Sequence, residues 1–305
     1  MSKSVLNASH FHDEEAAYAF VESKLWPQGP VCFHCKSGER VGKMNGKTTR
    51  IGLYKCYACR RPFTVKMGTI FEDSHVEMKL WLQAIHLLCA GKKGISSNQL
   101  HRTLGVTLKT AWFMSHRIRE AMRTGGLAPM GGAGVQVEVD ETYIGRKEGR
   151  KIAKGYGHKR PVLSLVERAG EVRSFHVETA TVATVAPIVR DNIDRESLLL
   201  TDESRLYWNL GTEFYQHDAI EHGKGEYVRG DVHTNTVEGY FSIFKRGFKG
   251  IYQHCGEKHL HRYLAEYDFR YNNRERFGID DTNRAARALA GVVGKRLTYR
   301  TTRGV

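Results

Sequence analysis

The stretch VQVEVD, residues 135–140, sets three valines on one side of the chain against Gln136, Glu138 and Asp140 on the other. A period of two is the signature of a half-buried β-strand. Working outward, residues 145–160 (GRKEGRKIAKGYGHKR) form a basic, glycine-rich loop. Two further strands are expected at 161–167 and 172–178, closed by a turn at Arg168-Ala169-Gly170. Residues 181–193 read as a helix. The run SLLLT, residues 197–201, is short and largely apolar, as in a strand buried on both faces, and it ends at Asp202. Three antiparallel strands, a helix and an interior strand predict a mixed α/β sheet flanked by helices.

Before this region the pattern is different. LAPMGGAG, residues 127–134, is a glycine-rich joint and marks a domain boundary. On its N-terminal side, residues 76–90 carry Leu80, Trp81, Ala84, Ile85 and Leu88 at helical spacing. A short helix then starts near Ser96 or Ser97, turns at Leu104-Gly105-Val106, and gives way to a longer helix from Thr107, both starts having a capping hydroxyl. This is the outline of a helix-turn-helix, with Lys109 and Thr110 near the start of the recognition helix as DNA-binding candidates. An αα-hairpin that only packs has the same outline, so charge and context must decide.

Four of the six cysteines form two pairs, Cys32/Cys35 and Cys56/Cys59, separated by residues 36–55. Each pair can build a knuckle, and two knuckles joined by a hairpin present four thiolates to one zinc ion. Such a site is closed and structural. Disulfides or a redox pair would be the alternatives, but the N-terminus has charges where a secretory signal needs an apolar stretch. Cys89 and Cys255 read as ordinary buried thiols, and His34 is not counted as a ligand.

Lys and Arg number 47 against 33 Asp and Glu, a formal net charge of +14. That excess favours a polyanionic partner through phosphate neutralisation. No stretch approaches the ~18 to 20 apolar residues of a membrane span, so no membrane partner is expected. A soluble, cytoplasmic protein is the expectation.

Three acids stand out. Asp140 is placed at the end of the first strand, Asp202 at the tip of the interior strand, and Glu238 at the opening of a helix in HTNTVEGYFSIFKRG. On that helix Val237, Phe241, Phe244 and Phe248 share a face that must be buried. Lys245 follows Glu238 by seven residues, about two turns, on the same edge. Three carboxylates at strand ends suit two divalent cations, Mg²⁺ or Mn²⁺, acting on a phosphodiester. Each acid also has a plainer use: Asp140 in a polar turn, Asp202 as an N-cap, Glu238 in a capping box with Asn235. Glu141, Glu203 and Asp231 are reserves. His233 and Asn235 receive no role beyond capping or lining.

The chain resembles DDE-type insertion-sequence transposases of the bacterial group related to Merlin-element transposases. Four blocks carry the likeness: the two CxxC pairs with RRPFTVKMGTIF, then VEVDETYIGRK, LLLTDESRLY and HTNTVEGYFSIFKRG. The resemblance implies a zinc ribbon followed by an RNase H-like catalytic domain, whose strand order agrees with the one read above. It gives Asp140, Asp202 and Glu238 metal-binding catalytic roles and matches Lys245 to the basic residue after the third acid. It also implies cleavage at element ends, strand transfer into target DNA, recognition of terminal repeats, homo-oligomers at least on DNA, and a bacterial, nucleoid-associated setting. A domesticated, inactive DNA-binding regulator and an RNase H-like nuclease that cuts without joining are the alternatives. The expected partition is 1–70 for the N-terminal segment and ribbon, 71–130 for the helical region, 131–280 for the catalytic domain and 281–305 for a C-terminal tail. In the basic loop, Arg150, Lys151 and Lys154 are expected to contact DNA.

Overall fold

A computed structural model describes residues 4–298. The chain forms two compact units, one from residues up to Arg123 together with those from Glu275 on, the other from Thr124–Arg274.

The first unit opens with α1 (Glu14–Leu25), whose start is capped by Asp13 accepting from the Ala16 amide at 2.7 Å. A small antiparallel sheet follows, with β1 (Val41–Lys43), β2 (Tyr54–Cys56) and β3 (Pro62–Phe63) in that order. Then come α2 (Met78–Ala90), α3 (Ser97–Leu104) and α4 (Leu108–Met122). The capping hydroxyls sit where the sequence puts them: Ser96 accepts from the Gln99 amide at 3.1 Å and Thr107 from the Thr110 amide at 3.1 Å. Gly105 between the two helices has φ +66°, the left-handed region that favours glycine. Lys109 is exposed and Thr110 half-buried at the start of α4.

The second unit holds a five-stranded mixed sheet. Its elements are β4 (Gln136–Ile144), β5 (Arg160–Glu167), β6 (Val172–His176), α5 (Val182–Asn192), β7 (Leu198–Asp202), a short α6 (Trp208–Gly211), β8 (Gln216–Ile220), α7 (Asn235–Gly247) and α8 (Leu260–Asn272). The strand order is β6-β5-β4-β7-β8, with β5 antiparallel to both neighbours and β7 parallel to β4 and β8. Alternation along the strands feeds two cores. Val137, Val139, Leu163, Leu165 and Leu199 pack with Val185 and Val189 of α5. On the other face, Ile144, Val162 and Val166 pack with Val237, Phe241 and Phe244 of α7 and with Leu264 and Tyr267 of α8. The anticipated order of strands and the buried face of α7 are both present. The division between the units falls just before the glycine-rich joint at 127–134, whose Met130 amide donates to the Asn192 carbonyl at 2.8 Å.

Three expectations need correction. Asp140 is not at the end of its strand: β4 runs on to Ile144, because its antiparallel pairing with β5 continues to Arg160 after its parallel pairing with β7 stops at Glu138. Arg160, counted with the basic loop, is buried and pairs with Glu257 at 3.7 Å. The stretch 281–305 is not merely a tail. Asp281–Ala290 is a helix, α9, packed on α2 with Ala288 and Leu289 buried; residues 299–305 lie outside the described part. Among the described residues no helix is long and apolar enough to cross a membrane.

Candidate active site and zinc ribbon

The register of the sheet positions the first two acids. Gln136, Val137 and Glu138 pair with Leu198, Leu199 and Leu200. Extended by two residues, the same register sets Asp140 level with Asp202. Both line an open cleft of about 620 Å³, with Glu141, Lys159 and Lys245. Burial, followed by the charges of Asp202 and Glu141, pushes the Asp140 carboxyl up to about 8, although the Glu141 amide donates to it at 2.7 Å. Glu238 adds to the same repulsion. Asp202 is also raised by burial, against the pull of the Ser204 amide, which donates to it at 3.0 Å. Lys245 is lowered by burial and held up by Asp140.

Glu238 is placed differently. Its carboxylate is half exposed, accepts from the Thr234 hydroxyl at 3.2 Å, lies 3.7 Å from His222 Nε2, and does not line the cleft. The reserve acids are engaged elsewhere or adjacent. Glu141 accepts from the Tyr207 hydroxyl at 2.7 Å, Glu203 accepts from the amides of His222 and Gly223, and Asp231 is exposed.

One residue that sequence reasoning left without a role holds α7 in place. Glu138 is fully buried and accepts from the amides of Thr236 and Val237 at 2.8 and 2.9 Å, and from the Thr236 hydroxyl. Arg168 donates to it at 2.7 Å and reaches the His233 carbonyl at 2.9 Å. The strand that carries Asp140 therefore caps the helix that carries Glu238. Its only sequence signal was its position two residues before Asp140, on the same face.

The cysteines converge. All four sulfur atoms lie within 4.8 Å of one another, the only such metal-ligating group among the described residues. Cys32 and Cys59 are 3.7 Å apart, and Cys35 and Cys56 3.6 Å. Zinc–sulfur bonds of about 2.3 Å in a tetrahedron give edges of about 3.8 Å, so the donor set fits zinc. The Cys59 amide helps draw the Cys56 thiol down to about 7. His34 stays outside this group, and Cys89 and Cys255 are buried elsewhere.

Residues 131–272 match the ISXO2-like transposase domain family, and residues 12–62 match the transposase zinc-ribbon domain family. The chain thus carries a segment similar to the ISXO2-like transposase domain, preceded by one similar to the transposase zinc ribbon. A protein in transposable element ISH50 of Halobacterium salinarum is 28% identical over 253 residues, covering 77% of this chain and 83% of that one. A transposase-like protein of Haemophilus influenzae is 29% identical over 108 residues, 34% of this chain and 84% of its own length. Among solved structures, a chain of a simian T-cell lymphotropic virus intasome bound to PP2A regulatory subunit B56 gamma aligns at a TM-score of 0.29 and 13% identity. That alignment covers 55% of this chain and 63% of the other. Within residues 131–272, Asp140, Asp202 and Lys245 share the cleft, and the charge of Glu238 still acts on Asp140. The exposed Arg150, Lys151 and Lys154 lie in the loop that follows β4.

Proposed function

We propose that this chain is a transposase that cuts DNA at the ends of its element and joins the freed 3′-hydroxyls to target DNA by direct transesterification. The observation that carries this reading is the cleft itself: two acids set level by parallel strands, with Lys245 beside them, where burial and then the neighbouring acids raise Asp140 to about 8. Buried acids that also repel one another fit a divalent cation, which neutralises them. Asp140 and Asp202 would hold Mg²⁺ or Mn²⁺, with Glu238 completing the set and Glu141 the nearest substitute. When bound, such cations ease deprotonation of the attacking hydroxyl and stabilise charge on the leaving oxygen.

The chain's own residues supply the rest. Lys245 offers positive charge to a phosphate oxygen entering the cleft. Glu138, by capping α7, fixes the helix that carries both Glu238 and Lys245. Water attacks the phosphorus at the element end, and the bond from phosphorus to the 3′-oxygen breaks to leave a 3′-hydroxyl. That hydroxyl then attacks a target phosphorus, one P–O bond forming as another breaks, so no external energy source is needed. Lys109 and Thr110 at the start of α4, together with the zinc ribbon, serve recognition of the terminal repeats, while Arg150, Lys151 and Lys154 hold the backbone. Two ends must be held at once, so the working form is an oligomer on DNA.

Incubation with the element's terminal DNA, Mg²⁺ and a labelled target tests the reading. The wild-type chain should give nicked and then joined products. Asp140→Asn, Asp202→Asn and Glu238→Gln should each reduce cleavage to background while DNA binding stays within about twofold, since every phosphate-binding side chain is retained. Cleavage without joined product would make the chain a nuclease, and binding without cleavage a regulator.

A further inference from the structure

Tyr143 and Tyr156 form a stacked aromatic pair at the mouth of the same cleft. Their ring centroids are 4.5 Å apart and the planes differ by 11°. Tyr143 lies on β4, three residues beyond Asp140, and is half-buried. Tyr156 comes from the basic loop and remains 58% exposed in spite of the stack. Both rings line the cleft with Asp140, Asp202, Lys159 and Lys245.

We propose that the face of Tyr156 turned away from Tyr143 receives an unpaired nucleobase from the strand whose phosphate enters the cleft. The inference rests on the DNA-cutting reading above and adds to it the state of the substrate: the nucleotide next to the reacting phosphate is out of the duplex stack. A phosphate approaches two carboxylates recessed at strand level more closely when its neighbouring base is free to move aside. Unstacking one base costs a few kcal/mol. Stacking it on an aromatic ring returns about 1–3 kcal/mol without regard to sequence, since every base has a flat face.

Two features of the pair suit this use. Tyr143 backs the outer ring and holds it flat, so little ordering remains when a base arrives. Lys159 Nζ lies 4.9 Å from the Tyr156 centroid, a cation–π contact. At an exposed site such a contact is worth about 0.5–1 kcal/mol, less than a stacked base, and the freed ammonium can turn to the phosphate alongside. A ring that served only to pin the loop would be expected to bury its surface, which this one does not.

The test uses the full-length protein and fluorescein-labelled single strands of about ten thymidylates, within the usual site size. The matched probe replaces the central bases with abasic spacers. Affinities are measured without Mg²⁺ for wild type, Tyr156→Ala and Tyr156→Phe. Wild type should bind the base-bearing strand about 5- to 100-fold tighter than the abasic one. Tyr156→Ala should lose at least about 5-fold on the base-bearing strand and nothing on the abasic one, while Tyr156→Phe keeps the wild-type pattern. An unchanged ratio in Tyr156→Ala, or equal weakening on both strands, overturns the proposal; the latter marks the ring as a loop pin. Wild type binding both strands alike would sink the stacking site alone. Failure to bind either strand would remove the DNA reading along with it.

Discussion

Asp268 shows how strongly burial can act on a single residue in this protein. It sits on α8 inside the second unit and accepts hydrogen bonds from Tyr240 at 2.6 Å and from the amide and hydroxyl of Ser174 at 2.8 and 2.7 Å. Those three donors favour the charged form, yet burial outweighs them and pushes the carboxyl up to about 7 from an ordinary 3.8. The native state then keeps a proton that the unfolded chain has released. The associated stability is fully present below about pH 4 and is lost as the pH rises through about 7. Thermal melts should show it: the difference between Asp268→Asn and wild type should move by several degrees in the variant's favour from pH 4 to pH 7. A constant difference would mean that the group is charged throughout. Asp140 and Asp202 were legible in the sequence because each follows from a simple rule, a period of two and the end of an apolar run. Arg160 was misplaced because counting charges cannot tell a solvated arginine from one buried against Glu257.

At the scale of elements, the helices divide by where their caps come from. Asp13, Ser96, Thr107 and Asp280 cap locally, and such starts can be read from the sequence. The starts of α2 and α7 have no side-chain cap of their own. Their amides are taken by Glu14, 64 residues before Met78, and by Glu138, 98 residues before Thr236. No local pattern announces a partner that far away, which is why Glu138 went unassigned. Glu138→Ala would leave two helix amides and Arg168 facing a dry gap. We expect it to cost about 3 kcal/mol in urea unfolding and to impair cleavage more than DNA binding. A loss below about 0.5 kcal/mol would show that water replaces the cap. The ribbon makes the opposite case, since CxxC spacing is itself the signal. Elemental analysis should find one zinc per chain. Cys56→Ser should unfold the ribbon and spare the mixed sheet, and full zinc in a Cys32/Cys56 double variant would refute the site.

For the whole molecule, the excess of 14 positive charges acts at long range, and part of it is concentrated in the loop after β4. Replacing Arg150, Lys151 and Lys154 with Ala should weaken binding to all DNA sequences alike. The salt dependence should flatten by a slope of roughly 1 for each phosphate that the loop no longer neutralises. An unchanged slope would mean that DNA reaches the cleft by another route. The two-unit arrangement was only partly legible. The glycine-rich joint could be seen, but α9 was hidden, because its buried face is short and includes an arginine, Arg284, beside Ala288 and Leu289.

The attachment of α9 has a consequence for how the protein is made. The Ile70 amide donates to the Val292 carbonyl at 3.2 Å, the Gly294 amide to the Gly68 carbonyl at 2.7 Å, and Arg284 to the Cys89 carbonyl at 2.8 Å. The first unit is thus closed by a segment that leaves the ribosome only after the whole mixed sheet has done so. Translation delivers the mixed sheet whole, as one uninterrupted run, while the ribbon and its helices wait with one flank open. Contacts this far apart along the chain form late and slowly. During that interval the nascent polypeptide has its mixed sheet before the surface of its N-terminal unit is complete. A message cut short after the sheet would release a protein with its sheet complete and its first unit unfinished.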